Sequence, residues 1–488
     1  MSQPPASFLF HDYETWGISP QHDYPCQFAA IRTDENLQQC DEPINITAKI
    51  HLDYLPHPQA VLVTGITPQM TLAEGEYEYT FMQKIHQAMI QPNTCVVGYN
   101  SIKFDDEVSR FSFFRNFMDP YQREYLHGNS RWDLINLVRA CYALRPEGIK
   151  WPLGDNGLVS FKLERLTQEN GISHTNAHDA LSDVHATIAI AQLIQQQQPK
   201  LFAYAYQLRS KQAVIRILEQ HHGQPLIFIN PYRSAKFGCV SIIMPMCPHP
   251  VNKNATVCID LTKDIFPLIN EDLDTLQRIQ FLPKAQRNEE TPDIATIIIK
   301  HNQCPFLAPI KTLSQSRSQA LNIDLNKVDQ QVEHLKYICQ DQESYANLIM
   351  TLTQLYSQTY DAEKPATDVE ASLYTGGFLN DAEKQFCQQV HMASPNELVN
   401  LKDNTPSPRI NELFQRFIAR NFLDTLSTDL QSQWYVDCQR RLTNNTQKLT
   451  LMRYFEIIEE LKSTENLSST QLYLLEELTK YGKEHPCF

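Results

Sequence analysis

The 488-residue sequence sets 42 Lys and Arg against 56 Asp and Glu, a formal charge of −14, with 42% apolar and 20% charged residues and only 14 Gly. That length suits two to four domains, and the composition excludes a disordered or fibrous chain. No apolar run approaches the ~18 residues that cross a bilayer, so a membrane span is excluded too; on its face the acidic excess also argues against nucleic acid, because phosphate contacts need Lys and Arg.

The first six residues, MSQPPA, lack the basic and apolar pattern of a secretory signal, so a cytoplasmic protein is expected. The 12 Cys show no C-x-x-C spacing and read as reduced, mostly buried thiols rather than disulfides or a zinc site.

In chain order, a first segment, residues 1–198, opens on an apolar run read as a strand, Ser7–Thr15. Further strands are expected at Gln27–Arg32, Ile44–Leu52 and Thr94–Tyr99, while Arg131–Leu144 and Ala180–Ile194 carry the helical period. Strands first and helices later imply a mixed sheet covered by helices. A polar run, Gln195–Gln198, followed by Pro199 stops the last helix and marks a seam. The second segment, 199–350, has short β-rich runs at Pro225–Asn230, Cys239–Met246, Ala255–Leu261 and Ile294–Lys300, as expected of a small barrel with attached helices. A polar, Pro-containing stretch, Ser357–Thr367, marks the second seam, and the third segment, 351–488, reads as helical, with clear periods over Arg409–Arg420 and Leu449–Leu461. The three segments carry net charges of −10, +2 and −6, so only the middle one leans basic.

Three fragments of the first segment carry chemistry. Asp12-Tyr13-Glu14 closes the first strand, where alternation sends both carboxylates to one side. Val97–Tyr99 runs through a polar turn into a helix, which sets Asp105 near the helix start, where the dipole favours an acid. Asn176–Asp183 leads into a long helix; within one helix His178 and Asp183 would stand about 140° apart, so both serve one site only with His178 on the preceding loop. Taken singly, these read more simply as a solvated strand end, a helix cap and a capped helix with an incidental His. Together they imply a metal centre, because converging carboxylates repel by roughly 1–4 kcal/mol per adjacent pair unless cations lie between them. Oxygen ligands favour Mg²⁺ or Mn²⁺ over zinc, and two such ions suit phosphodiester cleavage.

The order D-x-E, N-x-x-x-F-D and H-D-A-x-x-D resembles the DEDD exonucleases, in the subgroup whose last motif carries His. More narrowly, the strings HDYETWG, QFAAIRTDEN, AVLVTGITPQ, GYNSIKFDDEVSRFSFFRNFMDPY, NSRWDLINLVRACYALRPEGI and AHDALSDVHATIAIA resemble the bacterial exodeoxyribonuclease I family. NATVCIDL at 254–261, Cys304-Pro305, YTGGF at 374–378 and ARNF at 419–422 extend the likeness more weakly over nearly the whole chain. The resemblance implies a multi-domain α/β protein: a ribonuclease H-like exonuclease domain over 1–198, an SH3-like β-barrel domain with attached helices over 199–350 and a C-terminal helical domain over 351–488.

It also implies a function, 3′ to 5′ degradation of single-stranded DNA to 5′-mononucleotides, processively and in DNA repair and recombination. Asp12 would bridge two Mg²⁺ ions, with Mn²⁺ as an alternative; Glu14 and Asp183 would complete the tighter site, Asp105 would support the second, and His178 would be the general base. Substrate contacts would come from Glu14, Thr64, Gly65, Ile66, Thr67, Asn100 and Phe104. Lys162 would stand near the substrate phosphate, where some family members carry Arg; a solvated helix face is the other reading of that residue. Arg145 and basic residues of the middle segment would receive the acidic tail of the single-stranded-DNA-binding protein. A monomer is expected, with no membrane partner. The rival functions are trimming of RNA 3′ ends by the same chemistry, a non-catalytic single-strand-binding scaffold, and a metal phosphatase acting on small molecules.

Overall fold

Strand β1 (Ser7–Thr15) is almost entirely buried, and it organises a five-stranded sheet. It runs antiparallel to β2 (Pro25–Thr33), which pairs antiparallel with β3 (Ile44–Thr47), and it runs parallel to β4 (Thr94–Gly98). With β5 (Ser130–Asp133) the order is β3-β2-β1-β4-β5, the mixed sheet that the sequence implied. The computed structural model describes residues 6–174, 179–283, 286–287, 293–357, 368–444 and 449–488.

Two expected elements change. β3 stops at Thr47, short of Leu52, because Lys49 N–H leaves the sheet for the carbonyl of Glu76 (2.8 Å). The chain then forms α1 (Pro58–Thr64), α2 (Pro68–Glu74) and α3 (Glu78–Met89); the first two carry Pro in their opening turn, where no N–H partner is needed. After β4 comes α4 (Asp105–Arg115). The helix expected from Arg131 begins later, as α5 (Leu134–Leu144), because Asp133 is its cap: the Asp133 carboxylate accepts from Ile135 N–H at 3.1 Å, and the residues before it join the sheet as β5. α6 (Leu163–Glu169) is short, and α7 (Ala180–Gln197) runs past Ile194 through three glutamines. Pro199 then opens the next helix, Pro199–Gln207, so it starts a helix as well as ending one.

The chain folds as two units. The first contains residues 1–131, 174–188 and 364–488, so the sheet's acid-bearing strands share a unit with the C-terminal helices. Leu9, Tyr13, Phe28 and Phe111 pack in one core with Phe386, Phe414 and Phe417. Buried Arg420 joins them electrostatically, pairing with Asp53 (2.6 Å) and with Glu370. The expected C-terminal helices are present as Pro408–Asn421 and Leu451–Lys462.

The second unit contains residues 132–173 and 189–363. Its sheet is antiparallel throughout, in the order β10-β6-β7-β8-β9, from β6 (Leu226–Ile229), β7 (Val240–Pro248), β8 (Ala255–Asp260), β9 (Thr296–Lys300) and β10 (Leu307–Pro309). Four of these were expected; β10, only three residues long, was not. Val214 and Leu218, four apart on the helix Lys211–Gln220, pack on Leu226, Ile243 and Leu307. All twelve cysteines are free thiols, most of them buried. No helix among the described residues is long and apolar enough to cross a membrane.

Candidate active site

The period of β1 does the first part of the assembly. Asp12 and Glu14 project from one face, while Tyr13 points into the core, its ring 4.8 Å from Phe28 and its hydroxyl accepting from Ser109 at 3.1 Å. Because β4 runs parallel to β1, both strands end at the same edge of the sheet. The turn after β4 uses a left-handed backbone at Asn100 (φ 61°), which Asn tolerates, and delivers the chain into α4 with Asp105 at its first position. Tyr13 N–H donates to Asp105 Oδ1 at 3.3 Å and ties that helix start to β1. Asp183 enters from the first turn of α7.

One carboxylate oxygen from each of Asp12, Glu14 and Asp183 lies within 4.8 Å of the others. Asp105 is buried beside this trio, and its charge bears on both Asp12 and Glu14. Burial first, then the charges of Asp105, Glu14, Asp183 and Asp179, push the Asp12 carboxyl well above the usual range. Burial and the charges of Asp183, Asp105 and Asp179 push Glu14 up to about 9. So dense a group of acids resists full ionisation alone, and it suits a divalent cation whose charge would replace the protons. Hard oxygen donors without thiolate or described imidazole ligands fit Mg²⁺-like chemistry.

The neighbour of Asp105 faces a different field. Asp106 accepts from Arg123 (2.8 Å) and Arg131 (2.6 Å), all three buried. Burial alone would raise its pKa, but Arg131 and Arg123 outweigh that and hold it below the usual range. Beside them His11 donates from Nδ1 to the Val97 carbonyl (3.0 Å), and burial lowers its pKa to about 4, so it stays neutral.

The remaining expected site residues are distributed as follows. Thr64, Gly65, Ile66 and Thr67 form the turn between α1 and α2: Gly65 is left-handed (φ 72°) and the Thr67 hydroxyl caps α2. With Gln27 and Asp179, Thr64, Gly65 and Ile66 line a hollow of about 250 Å³ on the first unit, while Thr67 is buried behind them. Asn100 is exposed and Phe104 half-buried against the core, both in the turn that leads to Asp105. Lys162 belongs to the second unit, exposed at the start of α6. His178 lies outside the described residues.

Two residues of this neighbourhood were not singled out by sequence reasoning. Gln27, opposite Glu14 in the β1–β2 register, donates to Asp179 Oδ1 (3.0 Å) and accepts from Ala180 N–H (3.3 Å), which fastens the start of α7 to the sheet. His174 Nε2 lies 2.5 Å from Asp183 Oδ1. The signal for Gln27 was an amide in a strand otherwise fully buried; His174 offered only its place nine residues before Asp183.

In the second unit, a cleft of about 440 Å³ is lined by Leu144, Arg145, Lys200, Tyr204, Phe306 and Pro309, among others. Arg145 donates there to the Thr312 carbonyl at 3.0 Å.

Three family models match the chain: "Exonuclease" over residues 9–191, "Exonuclease I SH3-like domain" over 209–357 and "Exonuclease I C-terminal domain" over 367–485. Exodeoxyribonuclease I of Escherichia coli K12 is 39% identical over 482 residues, 98% of each chain. Among solved structures, E. coli exonuclease I in complex with a dA16 oligonucleotide superposes with a TM-score of 0.91 at 38% identity, covering 98% of this chain and 100% of that one. The zinc-bound form of the E. coli enzyme with single-stranded DNA gives 0.89 at 38% identity, over 98% and 99% of the two chains. A complex of the single-stranded-DNA-binding protein SSB with exonuclease I and an inhibitor gives 0.86 at 36% identity, over 99% and 100%.

Proposed function

The chain belongs to the exodeoxyribonuclease I family, and on that premise we propose that Asp12, Glu14, Asp105 and Asp183 hold two Mg²⁺ ions where single-stranded DNA is hydrolysed from its 3′ end. The products are 5′-mononucleotides, and the activity serves DNA repair and recombination. The observation that carries the site is the convergence of Asp12, Glu14 and Asp183 within 4.8 Å, with Asp105 beside them. The ions supply Lewis-acid charge for the attacking and leaving oxygens.

The chain's own groups do the rest. His178, on the segment just before α7, takes the proton of the attacking water as general base. Thr64, Gly65 and Ile66 present the rim of the hollow to the terminal nucleotide, Thr67 holds that turn by capping α2, and Gly65 leaves open space where a Cβ would stand. Glu14, Asn100 and Phe104 add contacts to that nucleotide, and Lys162 offers a charge to the phosphate. The enzyme acts as a cytoplasmic monomer.

The cleft around Arg145 receives the acidic tail of the single-stranded-DNA-binding protein in this reading. Arg145 and Lys200 meet the acids, and Leu144, Tyr204 and Phe306 offer an apolar seat.

Substrate choice is tested by digesting matched 5′-labelled oligomers with purified enzyme and Mg²⁺. Single-stranded DNA shortening from the 3′ end, well ahead of the same sequence as RNA or duplex, is expected; preference for RNA contradicts the reading. A fluorescent peptide ending in acidic and apolar residues should bind the wild type and lose affinity in Arg145→Ala.

A further inference from the structure

We infer that His174 is a positioning residue for Asp183: it orients the carboxylate by a hydrogen bond, and so sets how tightly the site binds divalent metal. The inference rests on the reading of Asp183 as a metal ligand. His174 Nε2 and Asp183 Oδ1 are 2.5 Å apart, and the two side chains are only 4% and 18% exposed. An ionised carboxylate can only accept, so the ring donates from Nε2. With one oxygen engaged from a fixed direction, the carboxylate cannot turn freely about its χ2 axis, and the lone pairs that a cation would use keep a constant aim toward Asp12 and Glu14.

The arrangement has a structural reason to need such help. Asp183 sits in the first turn of α7, its N–H donating to the Asp179 carbonyl at 3.0 Å, where the helix backbone fixes the Cα but not the direction of the carboxylate. Gln27 fastens that end to the sheet at Asp179 and Ala180 but does not reach the Asp183 side chain in any bond that it makes to α7. His174 bonds the carboxylate itself. A ligand held by a partner of this kind binds metal about 10–100-fold better than one left to rotate.

The test compares His174→Leu, which keeps the volume and removes the donor, with His174→Gln, whose amide can donate from nearly the same place. Mn²⁺ binding to DNA-free protein is read from the loss of the free-ion electron paramagnetic resonance signal, and the Mn²⁺ concentration for half-maximal digestion is read separately. Melting temperatures show that each variant folds; if His174→Leu does not, His174→Met takes its place. Expected are about tenfold weaker Mn²⁺ binding in His174→Leu, a rise of the same factor in the half-maximal concentration, and recovery of most of both in His174→Gln.

Unchanged Mn²⁺ affinity in His174→Leu overturns the inference, whether or not activity falls. Tighter binding overturns it too, since the histidine would then compete with the metal. Equal losses in both variants overturn the role of the hydrogen bond. Asp183→Asn separates the two readings: it should bind Mn²⁺ poorly, and binding at wild-type strength would instead defeat the assignment of Asp183 as a ligand.

Discussion

Asp105 and Asp106 are consecutive in the chain and stand in opposite electrostatic fields: Asp105 adds its charge to the acids around Asp12, while Asp106 is clamped between Arg123 at 2.8 Å and Arg131 at 2.6 Å. One helix start thus serves two purposes. Its first residue contributes to a cluster suited to cations, and its second locks the helix to buried guanidinium groups that the protein itself provides.

Asp106→Ala should therefore act mainly on stability. It takes from the fully buried Arg123 its 2.8 Å partner and from Arg131 its 2.6 Å partner, leaving Glu124, 4.0 Å and 3.2 Å away, to face both, and removing one partner of a buried ion pair costs about 3–5 kcal/mol. Denaturant unfolding should show that loss, whereas Asp105→Ala, which takes an acceptor from the Tyr13 N–H, should cost less stability and most of the activity.

Metal should stabilise the first unit. Mg²⁺ at about 100 times its dissociation constant adds about 2.7 kcal/mol to a fold that alone binds it. Glu14→Gln should melt higher than wild type without metal, because one repelling carboxylate is gone, and should gain less from Mg²⁺. Calorimetry with and without chelator reads both effects.

Gln27 should matter through the placing of α7. In Gln27→Met the bonds to Asp179 and Ala180 are lost, and activity on a short oligomer should fall about tenfold, as it does when outer partners of a metal site are removed. Gln27→Glu should be worse, since it cannot donate to Asp179 and adds a like charge. Steady-state rates at fixed Mg²⁺ give the comparison.

Acid should unlock a second buried pair. Glu78 accepts from Arg115 (2.7 Å) and lies 3.3 Å from His51; burial alone would raise its pKa, but those two partners outweigh it and lower the value from 4.5 to about 2. A depressed folded-state pKa gives stability that is fully present above about 4.5 and lost as pH falls toward 2. Unfolding midpoints measured across that window should decline, and Glu78→Gln should remove part of the slope.

The sheet and the acid cluster were legible in the sequence because they rest on local periods: β1 alternates, and Asp12 and Glu14 follow from that alone. The break at Asp133 was hidden, since the apolar period of α5 continues back across its own cap into β5. β3 was overextended because a strand's end is set by its partner, and Lys49 pairs with Glu76 instead of β2. Gln27 and His174 escaped notice for a related reason: their partners, Asp179 and Asp183, become neighbours only in the folded chain, at separations that no local period specifies. The total charge of −14 hid both the acid cluster and a middle segment of +2.

The central claim is that Asp12, Glu14 and Asp183 form the metal site of a 3′ to 5′ exonuclease. Its most direct test is the rate at which a 5′-labelled single-stranded oligonucleotide is shortened by wild type and by Asp12→Asn, both at saturating Mg²⁺. The account predicts release of mononucleotides by the wild type, none in chelator, and a loss of about 10²–10³-fold or more in Asp12→Asn. Digestion by Asp12→Asn at the wild-type rate would contradict it.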